Sequence, residues 1–271
     1  MTRHRNPRGE MPFLDHLEEL RWRILWSLIA VAVGSAVGFA LVYYFDVLEL
    51  LIAPVRAARD DPTFRLIYLS PADPFMVKLK LGIFVGIILA FPILVYQAWS
   101  FLSPALEKEE KRAIVPALYL GLVLFLGGVA MGYFAALPVT LEFFKHFEGE
   151  ALASQLEIGR TLAMVTKLLL AFGVVFELPV VVMVLTALGL VTPEFLRSKR
   201  RHAAVAMTIL ASVITPGDVI TLTVLMMVPL LLLYELSIFL SSGIVRRRRK
   251  KEAELEREHT VGPPEGTVEA R

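Results

Sequence analysis

The stretch Leu162 to Leu190, LAMVTKLLLAFGVVFELPVVVMVLTALGL, constrains this chain most. It is apolar for long enough to cross a bilayer, since about 20 such residues at roughly 1.5 Å each cover the hydrocarbon core. Glu177 lies inside it, roughly 20 Å from either end of the run. A carboxylate at that depth costs several kcal/mol unless it is paired, hydrated or protonated. Pro179 cannot donate to the carbonyl of Val175, so the helix is expected to kink beside the acid. Acid and kink together predict a polar concavity within the membrane. The plainer alternative is a hydrogen bond from Glu177 to a neighbouring helix. Lys167, about 15 Å away along the axis, is too far to pair with Glu177 and near enough to the start of the segment to snorkel.

Several such uncharged runs, 56% hydrophobic residues and a mean hydropathy of +0.64 make this a polytopic membrane protein. The absence of cysteine excludes disulfides, thiolate catalysis and cluster ligation by this chain. The first apolar run, Ile24 to Tyr44, is too long for a signal-peptide core and ends in VYYFD without a small-x-small cleavage site, so it is expected to remain as a helix.

Taken in order, PFLDHLEELRWRIL repeats Phe13, Leu17, Leu20 and Ile24 at helical spacing, which predicts an amphipathic interfacial helix running into the first span. Four prolines between Asp46 and Lys78 predict short pieces joined by turns. The second span is read as Leu79 to Leu102 and the third as Ile114 to Leu137, with Ser103 to Arg112 as a charged connection. Gly128 and Gly132, four apart, allow a close helix approach. Pro138 to Arg160 reads as a loop holding one amphipathic piece, LEFFKHF. Thr192-Pro193-Glu194 starts a helix well. Ala203 to Ile214 covers only about 18 Å and returns through Thr215-Pro216-Gly217-Asp218 into Val219 to Leu240.

The fold class is therefore all-α, with six transmembrane helices, the last two short, preceded by the interfacial helix. Residues 1–241 form the membrane domain and 242–271 a basic tail, expected to be disordered from Gly243 onward. Twenty Lys and Arg residues fall on the side of the termini and six on the opposite side, with Lys80 and Lys167 inside spans. This places both termini in the cytoplasm.

The cytoplasmic margin also carries acids: Glu18 and Glu19 before the first span, and Glu107, Glu109 and Glu110 after the second. Carboxylates among so many cations suit a cationic ligand, and arginine best, because a guanidinium donates two parallel charge-assisted bonds to one carboxylate. Two plainer alternatives remain: a solvated EKEEKR loop, and a Glu19 to Arg23 pair at i,i+4. No Ser/His/Asp set falls at one depth. The histidines His4, His16, His146, His202 and His259 show no metal-ligand spacing, and no phosphate loop is present. No enzyme activity, metal, cofactor or nucleic-acid partner is expected. Asp218 reads as the N-cap of the last helix.

From His16 to Arg23, HLEELRWR resembles the N-terminal signature of the TatC subunit of the twin-arginine protein translocase. IAPV around Pro54, FPILVYQAWSFLSPALEKEEKR from Phe91, AFGVVFELPV around Glu177, LRSKRRHA from Leu196 and TPGD at Thr215 resemble further blocks of that family in the same order. The resemblance implies a receptor for signal peptides with paired arginines, in the cytoplasmic (inner) membrane. It would self-associate and work with TatA- and TatB-type single-span partners to export folded proteins on the proton-motive force. Carried over by position, it assigns Glu19 and Glu110 to the arginine pair, with Arg21 and Phe101 beside them. Glu177 becomes the polar group of the concave face, and Pro54 and Asp218 become sensitive positions. Gly217 departs from the family's second proline, and Leu222 stands where a glutamine is frequent, leaving Thr215 and Thr221 to supply polarity toward a partner. The alternative from the residues alone is a proton-coupled secondary transporter using Glu177.

Overall fold

The computed structural model describes residues 13–59, 65–103, 108–145, 155–214 and 221–260, and among these every regular element is helical. In order they are α1 (Phe13–Tyr44), α2 (Val47–Ala57), α3 (Asp73–Leu102), α4 (Lys108–Met131), a π-helical turn (Gly132–Ala136), α5 (Leu137–Lys145), α6 (Ile158–Val175), α7 (Leu178–Ala187), α8 (Pro193–Ser198), α9 (Arg200–Ile214) and α10 (Thr221–Thr260). Five segments are long and apolar enough to cross a membrane: Asp15–Tyr44, Asp73–Leu102, Pro116–Lys145, Ile158–Ala187 and Met227–Arg246. The sixth, α9, has 15 residues and covers about 22 Å, short of a full crossing as its sequence predicts. The TPGD turn before α10 lies outside the described residues. Large apolar side chains such as Leu28, Val33, Val123, Phe134 and Leu232 point outward, where lipid rather than water meets them.

The interfacial helix does run into the first span as expected, in one uninterrupted helix, since neither Gly nor Pro falls between Phe13 and Val33 to stop it. Several boundaries differ from expectation, each for a local reason. The second span starts at Asp73, not Leu79: Asp73 Oδ2 accepts from the backbone N–H groups of Leu69 and Ser70 at 2.9 and 2.8 Å, and Pro74 suits the first turn. Pro138 to Lys145 is not loop but a continuation of the third span. Pro138 has no N–H, and the π turn just before it, closed by Leu137 N–H to Gly132 O, lets the helix pass the ring. Past Gly243 the described chain is helical: the last membrane-crossing segment, Met227–Arg246, is 20 residues long, and α10 runs on to Thr260, because RRRRKKEAELEREH is built of strong helix formers. At the other end of the fourth span, α7 stops at Ala187 and Gly189, with φ +72°, turns the chain there.

Packing follows the small residues. A Cβ on Gly86 would stand 2.3 Å from Ser35 Cα, and one on Gly38 2.4 Å from Gly82 O, so α1 and α3 touch backbone to backbone through Gly34, Gly38, Gly82 and Gly86. On α4, Gly128 meets the backbone of Phe172 in the same way, and Gly173 meets the ring of Phe125. The main core gathers Leu51, Ile52 and Val55 of α2, Leu81 of α3, Leu137 and Val165, Leu168 and Leu169 of α6. α7 and α10 are joined by a buried hydrogen bond between the Thr186 and Ser241 hydroxyls, 2.8 Å apart.

Pro54, inside α2, lacks the N–H that would reach Leu50 O. The Tyr133 hydroxyl, from the π turn, donates to that carbonyl instead at 2.5 Å. This ties α2 to the third span.

Two stability outcomes follow. Gly86→Ala should cost about 2 kcal/mol or more, because α1 and α3 must part, whereas Gly127→Ala, with open space around it, should be neutral or stabilising by up to about 1 kcal/mol. Tyr133→Phe should lose about 1 kcal/mol. Thermal melts in one detergent, read by fluorescence-detected size exclusion, compare all three with wild type.

Candidate functional site

The first site lies where the beginning of α1 meets the end of α3. His16, Glu19 and Arg23 fall three and four apart on α1 and so share one face. The glycine contacts further along hold that face against α3. Arg23 donates from Nη2 to Glu19 Oε1 at 3.1 Å and from Nη1 to Gln97 Oε1 at 3.1 Å, linking the helices. The His16 ring stacks on Phe101, centroids 4.4 Å apart and planes 13° off parallel. His16 Nδ1 stands 3.9 Å from Glu19 Oε2. That second oxygen is buried and has no hydrogen-bond partner among the described residues. Glu19 is thus half committed: one oxygen is held by the chain's own Arg23, as the plainer sequence reading has it, and the other is an acceptor in waiting.

The remaining predicted residues distribute as follows. Arg21 is exposed on the flank of α1. Glu110 falls in the first turn of α4, at the end of the bundle where α3 finishes. Its side chain is outside the described part, as is that of Thr221 at the start of α10. Thr215 and Asp218 lie outside the described residues altogether. Pro54 is far along the chain at the other end of the bundle, in α2. Arg23, Gln97 and His16, which build the surroundings of Glu19, were absent from the predicted site. The i,i+4 spacing read from the sequence signals Arg23 and the i,i+3 spacing signals His16, whereas Gln97 enters only through the α1–α3 contact.

The second site is Glu177. α6 ends at Val175, Phe176 and Glu177 form a turn, and α7 begins at Leu178 with Pro179, so the acid occupies the N-cap position of a restarted helix. Its N–H reaches Val174 O at 3.1 Å and its carbonyl accepts from Val181 at 3.0 Å. The side chain lies against α4 at Gly121, where a Cβ would be 2.9 Å from Oε2. Gly121 is therefore small because the carboxylate occupies the space a side chain would fill. Oε1 is buried without a hydrogen-bond partner among the described residues. The kink read from Pro179 is present, and α7's ten residues put the acid about 15 Å from that end of the span.

Both sites are acceptors at an unusual depth or margin. Neither offers a nucleophile with a base, and no group of three metal-ligating side chains occurs among the described residues. Their joint chemistry is recognition of hydrogen-bond donors and cations by carboxylates.

Comparison with known proteins agrees with this arrangement. Residues 15–229 match the family model described as TatC, Sec-independent protein translocase protein. The TatC protein of Aquifex aeolicus is 41% identical over 244 residues, covering 89% of this chain and 98% of that protein. The TatC protein of Escherichia coli is 36% identical over 243 residues, covering 89% and 92%. A crystal structure titled as the twin-arginine translocase receptor TatC superimposes with a TM-score of 0.70 at 40% identity, covering 84% of this chain and 98% of the other. A second crystal structure, of that receptor in the detergent DDM, gives 0.72 at 39% identity, covering 83% and 99%. With the family model spanning most of the membrane part and relatives alike over nearly their whole length, the chain belongs to the TatC family of Sec-independent protein translocase components, a family of transport proteins and not of enzymes.

Proposed function

We propose that this chain is the receptor of a twin-arginine translocase in the cytoplasmic membrane, with both termini in the cytoplasm. Glu19 and Glu110 receive the two guanidinium groups of a signal peptide. The observation that carries this reading is the Glu19 carboxylate. It is held in place on one side by Arg23 and keeps on the other a buried oxygen without a hydrogen-bond partner among the described residues. An acceptor of that kind gains most from a donor that brings its own positive charge. Arg23 already displays the geometry, bridging Glu19 and Gln97 with two arms of one guanidinium. Phe101, stacked on His16, supplies an aromatic wall beside it, and Arg21 faces the solvent on the same helix.

The apolar segment of the signal then runs along the bundle toward Glu177. At the kink, a polar concavity in an otherwise apolar wall receives it. Single-span partners of the TatA and TatB type, and further copies of this chain, complete the translocase. Thr215 and Thr221, which fall between α9 and α10 or at the start of α10 in the sequence, supply polarity toward such a partner, and Pro54 and Asp218 are positions sensitive to substitution. Export draws on the proton-motive force. The family match favours this reading over a proton-coupled small-molecule transporter, because it accounts for the acids at the margin as well as for Glu177.

The test is photocrosslinking of a twin-arginine signal peptide to the purified protein. Glu19→Gln and Glu110→Gln should each weaken capture by about ten- to a hundredfold, the loss of one charge-assisted bond pair. Replacing the signal's arginines by lysines should reproduce that loss in wild type and add little in Glu19→Gln. Equal capture by all four combinations would refute the assignment. Glu177→Leu should leave capture of the arginine pair within about twofold of wild type, because the two sites are not in contact, while lowering export of a folded reporter by about an order of magnitude. A quantitative export assay in a strain lacking its own homologue reads that difference.

A further inference from the structure

Lys80 on α3 and Lys167 on α6 are basic residues set several residues inside the spans. The receptor reading uses neither. α3 and α6 begin at the same end of the bundle, because the segments leading into them are pinned together: Ile67 N–H donates to Leu156 O at 3.0 Å and Ile158 N–H to Ile67 O at 2.8 Å. Lys80 stands about 10 Å past the start of α3 and Lys167 about 14 Å past the start of α6, so the two reach similar depths. Helical side chains lean toward the helix N-terminus, and both lysine stems therefore aim back at the same membrane interface.

The two lysines line one groove of about 410 Å³ between α3 and α6, walled by Val77, Leu81, Leu162 and Leu170. No acid lines it, and neither ammonium meets a carboxylate or ring among the described residues. Glu157, beside Gly159 of the lining, is already engaged, since it accepts from Arg160 Nε at 3.1 Å. Two cations converging over an apolar wall are complementary to a ligand with an anionic head and a hydrocarbon tail.

We propose that the α3–α6 groove is a binding site for an anionic phospholipid of that leaflet, its phosphate between Lys80 and Lys167 and an acyl chain along Leu81, Leu162 and Leu170. A headgroup with its own ammonium, such as phosphatidylcholine, returns a positive charge to the site and binds less well. A carboxylate on a partner's membrane helix would also answer the charge. The lean of both lysines toward the interface, where phosphates sit, favours the lipid.

The experiment is native mass spectrometry of the full-length chain from a neutral detergent with equimolar dioleoyl-phosphatidylglycerol and dioleoyl-phosphatidylcholine. A diazirine-bearing phosphatidylglycerol maps the site in parallel. Wild type should retain phosphatidylglycerol preferentially and be labelled between residues 77 and 81 and between 159 and 170. Lys80→Gln and Lys167→Gln should each reduce the preference about fivefold, and Lys80→Arg with Lys167→Arg should keep it. The single variants carry the comparison should the double glutamine variant not fold. No headgroup preference in wild type, full preference in both glutamine variants, or labelling confined to other segments would overturn the proposal. So would loss of lipid preference together with zero-length carboxyl-to-lysine coupling of Lys167 to a co-expressed single-span protein, which would give the groove to a partner helix.

Discussion

A main-chain carbonyl that loses its helical donor must find another where no water is at hand, and of the prolines that impose that demand on this chain, which include Pro92, Pro116 and Pro229 inside α3, α4 and α10, three show how it is met. Each is answered differently. At Pro54 the donor comes from outside the helix, as the Tyr133 hydroxyl reaches Leu50 O. At Pro138 a π turn shifts the ladder so that Leu137 bonds to Gly132. At Pro179 the helix gives up its continuity, and α6 stops so that α7 can start again from Glu177. The first two keep the outline of the third span and its neighbours rigid. The last leaves a carboxylate, that of Glu177, buried against Gly121 of α4.

Rigidity is what lets a few side chains define a receptor surface. The backbone contacts among Gly34, Gly38, Gly82 and Gly86 bring α1 and α3 closer than any side chain would allow. That approach carries Gln97 and Phe101 to the face of His16, Glu19 and Arg23. Gly121 plays the complementary part on α4, leaving room for the Glu177 carboxylate. In each case a residue with no side chain decides where a charged one can stand. The pairing of Arg23 with Glu19 holds one oxygen of that carboxylate in place against a guanidinium of the same helix.

Much of this was legible in the residues. The spans follow from apolar runs, the break at Glu177 from Pro179, the start of α8 from Thr192, whose hydroxyl does accept from Phe195 N–H at 3.2 Å, and the shortness of α9 from its length. The misread boundaries share a cause. Whether a helix passes a proline such as Pro138 depends on what the surrounding turns can absorb, and composition alone does not separate a soluble tail from a helix extended by its anchored first half, as after Gly243. Gly34 and Gly38, and Gly82 and Gly86, were visible at the same four-residue spacing noticed for Gly128 and Gly132. Spacing does not say which pairs will meet.

What the sequence by itself determined is the set of elements and the identity of the acids, because hydropathy over about 20 residues and the absence of an N–H in proline act locally. The tertiary structure alone decided which groups meet, Gln97 with Arg23 and Gly121 with Glu177, and that Lys80 and Lys167 line one groove. Those pairings join residues tens of positions apart through the rotation and approach of whole helices, which depend on every contact along the interface at once and leave no signature in any single stretch of chain.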